Sequence, residues 1–416
     1  MNPIRLTSLM ILLLAAPLRA QFCPPGETSR RIVTCSPNVS MAQCRTQALS
    51  VGCQIARELP LIHAVVVEIS SSRMFVAQSA MENSAGVERV DEDRKVHWLE
   101  NLPDFDASGI DMTALRATLR QSERITAAPA SRLPWGVSRV GAPAVWTRTR
   151  GQGADVAVID TGIDASHPDL RGQVAGGVNL LDATHPDRWQ DDENHGTHVA
   201  CTISCSGQNG GLAGVAPGAR LWAVKVLDQD GNGTFSDVIA GLQWAMDRHI
   251  PIVNMSLGAE EGSEPLHRAI AAATAAGVTI IAAAGNTGGK VGFPGAYPET
   301  IAVGASDVRD RVASFSSHGK EVAFIAPGVD VLSAKRGGGT LTMSGTSMAT
   351  PHVAGLAALA YALGARTPEG LRASLNGAAR HLSGLKPEQE GKGMILAGDI
   401  SAPEHAERAT LAMLRQ

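Results

Sequence analysis

Three short segments place an aspartate, a histidine and a serine where apolar runs give way to turns. Asp160 follows the apolar run Val156–Ile159 in Val158-Ile-Asp-Thr-Gly162. A carboxylate there either caps a turn or performs chemistry. His195 opens His195-Gly-Thr-His-Val-Ala200, a glycine-hinged entry into a helix. Two histidines three apart also suit a metal, but no third ligand follows and no glutamate base stands between them. Ser347, in Ser344-Gly-Thr-Ser-Met-Ala-Thr-Pro-His-Val-Ala354, begins the most apolar helix pattern of the chain. Alone, it reads as a helix-capping serine. Brought together, the three would perform acyl transfer. The imidazole would take the serine proton and return it to the leaving group, while the carboxylate fixes the tautomer. Charge developing on the carbonyl oxygen needs aimed donors, and the Ser347 N–H at a helix N-terminus supplies one.

The elements around these residues predict how they are held. Val156–Ile159, Leu221–Leu227, Ile252–Met255, Val278–Ala284 and Ile301–Val303 read as short buried strands. Helix patterns alternate with them at Thr197–Ser204, Phe235–Arg248, Leu266–Ala276 and Ser347–Gly364. Strand–helix alternation implies a mainly parallel sheet covered on both faces, a three-layer α/β/α domain. Sites in such sheets lie at the carboxyl ends of strands, where Asp160 falls.

Together the three segments resemble the signature segments of subtilisin-like serine proteases, and their order Asp, His, Ser is that family's order. The resemblance covers about residues 131–400 and includes Pro134-Trp-Gly-Val, Gly214-Val-Ala-Pro, Ala223-Val-Lys-Val-Leu, Asn254-Met-Ser-Leu-Gly and Ala283-Ala-Gly-Asn. It implies a serine endopeptidase with Asp160, His195 and Ser347 as triad and Asn286 as second oxyanion donor. It also implies a groove for protein or peptide substrates. Ser256, Leu257 and Gly258 would form one wall of the pocket for the residue before the scissile bond (S1). Ala283, Ala284 and Gly285 would form the other, with Gly292 near the floor. Asp230, Gly231 and Asn232 would pair with substrate on the far side, and Phe235, Val238 and Leu257 would line an apolar S4 pocket. With no carboxylate at the S1 floor, apolar P1 residues are expected; Ala259-Glu260-Glu261 replaces a glycine-richer stretch beside that pocket. Asp169, in His167-Pro-Asp169, matches a carboxylate of the family's structural calcium site. The loop Ser206–Leu212 adds carbonyls and Gln208 or Asn209 but no second carboxylate. No cofactor is expected for the chemistry itself. A catalytically silent binding protein, or an esterase using the same triad, are the competing readings.

The rest of the chain sets the context. Thirty-six basic and 40 acidic residues give a net charge of −4, so no basic field draws nucleic acid or an anionic membrane. Residues 1–20 have the layout of a secretory signal peptide, and no later run is long enough to span a membrane. A secreted monomer is expected. Export permits disulfides. Cys23, Cys35, Cys44 and Cys53 cluster in a segment over 21–57 and allow three pairings. Cys201 and Cys205 are a further candidate pair, favoured only if the helix ends by Ser204. Residues 58–98 read as a small α+β unit resembling an inhibitor-like propeptide, with strands near 63–69 and 86–93 around a helix at 73–81. A linker over 99–130 carries a short helix through Met112, Leu115 and Leu119; the catalytic domain spans 131–400 and a tail 401–416. The propeptide would act as an intramolecular inhibitor. Val96 would fill S4 and Leu99 S1, with self-cleavage after Leu99 and later trimming after Ala128, with Ile125 at P4.

Overall fold

The computed structural model describes residues 28–99 and 133–401. The signal segment, Cys23, nearly all of the linker with Ile125 and Ala128, and residues 402–416 lie outside them. Six elements build a first sheet: β1 (Thr28–Cys35), α1 (Met41–Leu49), β2 (Gln54–Leu59), β3 (Ala64–Ser70), α2 (Met74–Glu82) and β4 (Val87–Glu92). The order is β2-β3-β1-β4, every pairing antiparallel. The expected strand–helix–strand unit is β3-α2-β4, but β1 lies between its two strands, making a split βαβ. The boundary expected near residue 57 therefore falls inside one sheet. Ser40 caps α1, accepting from the Gln43 N–H while the Gln43 side chain bonds back to the Ser40 N–H. A Cys35–Cys44 disulfide, Cα atoms 5.9 Å apart, ties α1 to the end of β1, and Cys53 is buried in the same cluster.

The second sheet has seven parallel strands. After β5 (Lys95–His97) come β6 (Asp155–Asp160), β7 (Val174–Asn179), α3 (His195–Ser204), β8 (Arg220–Lys225) and β9 (Asn232–Thr234). Then follow α4 (Phe235–Asp247), β10 (Ile252–Met255), α5 (Glu264–Ala275), β11 (Thr279–Ala283), β12 (Ile301–Ser306), β13 (Val322–Pro327) and α6 (Thr346–Ala362). The strand order is β13-β12-β11-β10-β6-β8-β7. Val156 and Val158 join one core cluster with residues of α3 and α6, while Ala157 and Ile159 join another with residues of α4 and α5. Helices on both faces are why these strands are apolar without alternation. The edge strands β7 and β13 were missed in the sequence. Gly176 and Gly177 interrupt the first; the second, Val322-Ala-Phe-Ile-Ala-Pro327, carries a legible apolar run. Aromatics are scarce, so close backbone approach replaces bulk. At Gly355 of α6 a Cβ would lie 2.5 Å from the Val215 side chain.

The first sheet lies on α4 and α5. Ile32, Leu59, Ala64 and Val66 share a cluster with Phe235, Ile239, Leu242, Leu266 and Ile270. Val33, Val65, Val67 and Ile69, on the opposite face, pack with residues of α1 and α2. Charges ring this contact. Arg57 pairs with Asp237 at 2.9 Å, and Arg30 with Asp93 at 3.0 Å. Buried Asp93 accepts the Ser236 N–H and hydroxyl, capping the start of α4. Burial nonetheless holds its carboxyl above the ordinary value, outweighing Arg30 and those hydrogen bonds.

Two buried histidines lie between α3, α6 and the sheet. Burial pushes His198 down to about 3 and His352 down to about 4. Unfolded, each titrates near ~6.5, so below that pH the unfolded chain binds more protons than the folded one. Stability is expected to be full above about pH 6.5 and to fall as pH drops toward the two folded values. Denaturant midpoints taken across that range measure it; an unchanged midpoint from pH 7 to 4 would contradict neutral burial.

Candidate active site

Asp160 ends β6 and His195 starts α3, two elements joined through a polar cluster. Asp191 accepts from the Thr161 hydroxyl at 2.9 Å, the Thr197 N–H at 3.0 Å and the Thr197 hydroxyl at 2.5 Å. The Gly196 N–H donates to the Thr161 hydroxyl, and a Cβ at Gly196 would meet the Gly162 carbonyl at 2.0 Å. Only glycine fits there, so the hinge read in the sequence is a contact requirement. Lys225, buried at the end of β8, donates to the carbonyls of Thr161 and Leu227 and pairs with Asp192. The sequence reading gave Asp191 and Lys225 no role. The outcome is a bidentate contact: His195 Nδ1 lies 2.8 and 2.9 Å from the two Asp160 oxygens. Burial alone would push His195 down, but the charge and hydrogen bond of Asp160, with Glu193 and Asp191, outweigh it and hold the imidazole above its ordinary value. An anion fixed on Nδ1 leaves Nε2 as the atom that can accept a proton.

Ser347 lies in the first turn of α6, and its placement follows from Pro351. Proline has no N–H for the carbonyl four residues earlier, so the Ser347 carbonyl lacks its helical donor. The Ser256 hydroxyl donates to it instead at 2.8 Å, and the Ser347 hydroxyl donates to the Ser256 carbonyl at 3.2 Å. Asn254 bonds the Ser256 hydroxyl in turn. This reciprocal clasp fixes the serine at the carboxyl end of β10; rotation about χ1 frees its hydroxyl for an imidazole.

Asn286 follows β11. Its side-chain oxygen accepts from the Thr346 N–H at 2.8 Å and hydroxyl at 2.9 Å, which orients the amide. A Cβ built on Gly345 would lie 3.5 Å from Asn286 Nδ2 and 3.7 Å from the Ser347 N, so Gly345 lies beside both N–H groups. Strands β10 and β11 run parallel and in register, Met255 opposite Ala282. Ser256–Gly258, which continue β10, and Ala283–Gly285, at and beyond the end of β11, are the segments expected to wall the S1 slot, and all six residues are buried. Ala259 and Phe293 exchange backbone hydrogen bonds just beyond, and the Gly292 N–H donates to the Ala284 carbonyl. Glu260 and Glu261 are exposed; Glu261 pairs with Arg94 at 2.6 Å.

The chain itself lies between the slot and β9. Lys95, Val96 and His97 pair antiparallel with Thr234, Gly233 and Asn232. The Trp98 N–H then donates to the Gly231 carbonyl, and its own carbonyl accepts the Gly258 N–H, both at 2.9 Å. Trp98 is fully buried, its ring edge-on to Phe235 with centroids 5.0 Å apart, in one cluster with Val238 and Leu257. The apolar pocket expected to take Val96 thus holds Trp98, and Val96 is only half-buried. An indole offers more apolar area than a valine, and its N–H has an acceptor there. Leu99 packs on Gly231. Of the far-side trio, Gly231 and Asn232 pair with this segment, while Asp230 forms an Asx turn with Asp228, which Lys95 engages at 2.9 Å.

The remaining candidates lie elsewhere. Cys201 and Cys205 form a disulfide across the last turn of α3, which stops at Ser204, with Cα atoms 4.4 Å apart. Asp169 faces the 206–212 loop. Its carbonyl accepts the Ser206 N–H, and a Cβ at Gly211 would lie 1.8 Å from its carboxylate. Among the described residues no three His, Cys, Asp or Glu side chains gather as a metal cluster.

A buried Asp–His pair beside a helix-start serine, at the carboxyl edge of a parallel sheet, defines a serine hydrolase of α/β/α architecture. Comparison with known proteins makes this specific: residues 151–393 match the Subtilase family, peptidase family S8. The chain is 45% identical to an intracellular serine protease of Paenibacillus polymyxa over 235 residues, 55% of this chain and 72% of that protein. It is 44% identical to a thermostable alkaline protease of Halalkalibacterium halodurans over 269 residues, 64% and 73% of the two chains. It is also 46% identical to a subtilisin of Bacillus pumilus over 237 residues, 55% and 85% of the two. The chain belongs to the subtilase family and is a serine-type endopeptidase. Gly345→Ala is expected to obstruct the space between Asn286 and Ser347 and lower kcat by roughly 10²-fold with little change in KM. Steady-state kinetics on a peptide anilide would measure this; an unchanged kcat would remove that space from the reaction.

Proposed function

We propose that the chain is an exported endopeptidase in which Ser347 attacks the scissile carbonyl, His195 carries the proton, and Asp160 fixes and charges-balances the imidazole. The observation that carries this reading is the buried Asp160–His195 contact at 2.8 Å, taken with the Asn286 Nδ2 and Ser347 N that flank Gly345. As Ser347 Oγ bonds to the carbonyl carbon, its proton passes to His195 Nε2 and the oxygen, now anionic, lies between those two donors. Collapse expels the amine with the proton from His195, leaving an acyl-enzyme that water hydrolyses by the same route. A raised His195 pKa means the free base is populated only on the alkaline side of its ordinary value. The apolar slot walls favour apolar P1 residues, and the edges at 231–233 and 256–258 favour extended polypeptide over small esters. Two disulfides suit an oxidising compartment.

The segment before the protease sheet serves in this reading as its intramolecular inhibitor, since residues 95–98 lie along the same edges. A cut after Leu99 needs Val96 in the apolar pocket. With Trp98 seated there, the residue three positions on is Asn101, so this register does not present Leu99 for cutting. Trimming after Ala128 is the self-processing step expected. Expressing the chain beside Ser347→Ala tests both ideas. Active chain should yield Pro129 as a new N-terminus and hydrolyse casein, with apolar P1 dominating a peptide library. Ser347→Ala should remain whole and inert. Casein turnover by purified Ser347→Ala would falsify the mechanism, and a library dominated by Arg or Lys would overturn the apolar pocket.

A structural calcium ion fits the Asp169 corner modestly: one carboxylate, loop carbonyls, and Gln208 or Asn209 make an oxygen-only donor set. EDTA is expected to lower the Tm by a few degrees, and Asp169→Ala to lower it similarly while removing the EDTA effect. Equal Tm values with and without EDTA in the parent chain would exclude the ion.

A further inference from the structure

Among the described residues, Trp98 bridges both edges of the groove through its backbone, and its side chain is fully buried. Its N–H reaches Gly231 and its carbonyl reaches Gly258, each at 2.9 Å. The ring is buried against Phe235 at a 74° interplanar angle, the edge-to-face arrangement aromatic quadrupoles favour. The indole Nε1–H donates to the Gly233 carbonyl at 3.0 Å. That carbonyl is held rigidly, because Gly233 is paired with Val96 and has no room for a side chain: a Cβ would lie 2.3 Å from the Val226 carbonyl. Phenylalanine or leucine could fill such a pocket but would forgo this additional hydrogen bond.

We propose that the pocket formed by Phe235, Val238, Leu257 and the Gly233 carbonyl is an indole-selective subsite. The enzyme's preferred substrates are then polypeptides carrying tryptophan on the acyl side of the scissile bond, and Trp98 restrains the enzyme by occupying that subsite in cis. The proposal rests on the reading of 231–233 and 256–258 as the substrate groove. It goes beyond a general apolar preference because the discriminating element is a hydrogen bond. The Gly233 carbonyl already pairs with the Val96 segment, so the indole N–H adds a second bond to a fixed acceptor, and a ligand lacking it forgoes that bond.

The test uses active enzyme from expression of the full chain and the C-terminally amidated peptide Arg94–Leu99 as competitor of casein hydrolysis. Replacing its tryptophan by 2-naphthylalanine keeps the area and removes the N–H; the inhibition constant should rise about 5- to 10-fold. Alanine should raise it on the order of 100-fold. Digestion of denatured protein mixtures should enrich tryptophan at one fixed position before the cut, and Phe235→Ala should flatten that enrichment. Equal inhibition by the naphthyl and indole peptides, or no enrichment, would overturn the proposal while casein hydrolysis continues. Loss of casein hydrolysis itself in the parent enzyme would instead overturn the protease reading beneath it.

Discussion

The parallel register of β6, β10 and β11 is the constraint on which the site depends. Because the three strands run the same way, their carboxyl ends open on one rim. That rim receives Asp160, Ser256 and the 283–286 segment in turn. Parallel strands need helical crossovers, and two of the helices that cover this sheet begin at the rim, one with His195 and one with Thr346 just before Ser347. Asp160, His195, Ser347 and the 283–286 segment are thus brought to one rim by backbone pairing and crossover direction before any side-chain preference acts.

On that frame, the local chemistry is set by polar groups whose partners are all within the protein. Pro351 denies the Ser347 carbonyl its helical donor, and Ser256 replaces it. Thr346 occupies the oxygen of Asn286 and so decides which way its amide faces. Asp191 and Lys225 hold the loop after β6 from opposite sides. Each of these hydrogen bonds holds its buried group in one orientation. The raised His195 pKa is the same effect seen in a titratable group: the nearby anions outweigh the cost of burial.

The N-terminal sheet adds apolar area and charge pairs to one side of this frame. Its contact with α4 joins three features: a carboxylate at a helix start, an arginine pair, and a segment extended along the groove. Trp98 connects that sheet to the rim, since its ring belongs to the same cluster as Ile32 and Leu59 of the sheet and Phe235 of α4. Binding in the groove and packing of the sheet are therefore continuous, with no polar break between them.

Much of this was legible in the residues themselves. Asp160, His195, Ser347 and Asn286 stood out because each abuts an apolar run, and the alternation of strand and helix patterns carried the parallel sheet. The second disulfide spans the end of α3 at Ser204, and the residue at which a helix stops is not given by the spacing of two cysteines. Other features needed the third dimension. β1 inserts between β3 and β4, a pairing across chain distance that periodicity does not encode. Asp191 and Lys225 look like ordinary charged residues until burial and partners mark them. Val96 was expected in the apolar pocket from its position alone; Trp98 fills it, because which side chain turns inward depends on pocket volume and on the Gly233 carbonyl waiting there. The sequence determined the reactive groups and the layers that carry them; tertiary packing decided who their neighbours are, since contact energies belong to pairs distant in the chain.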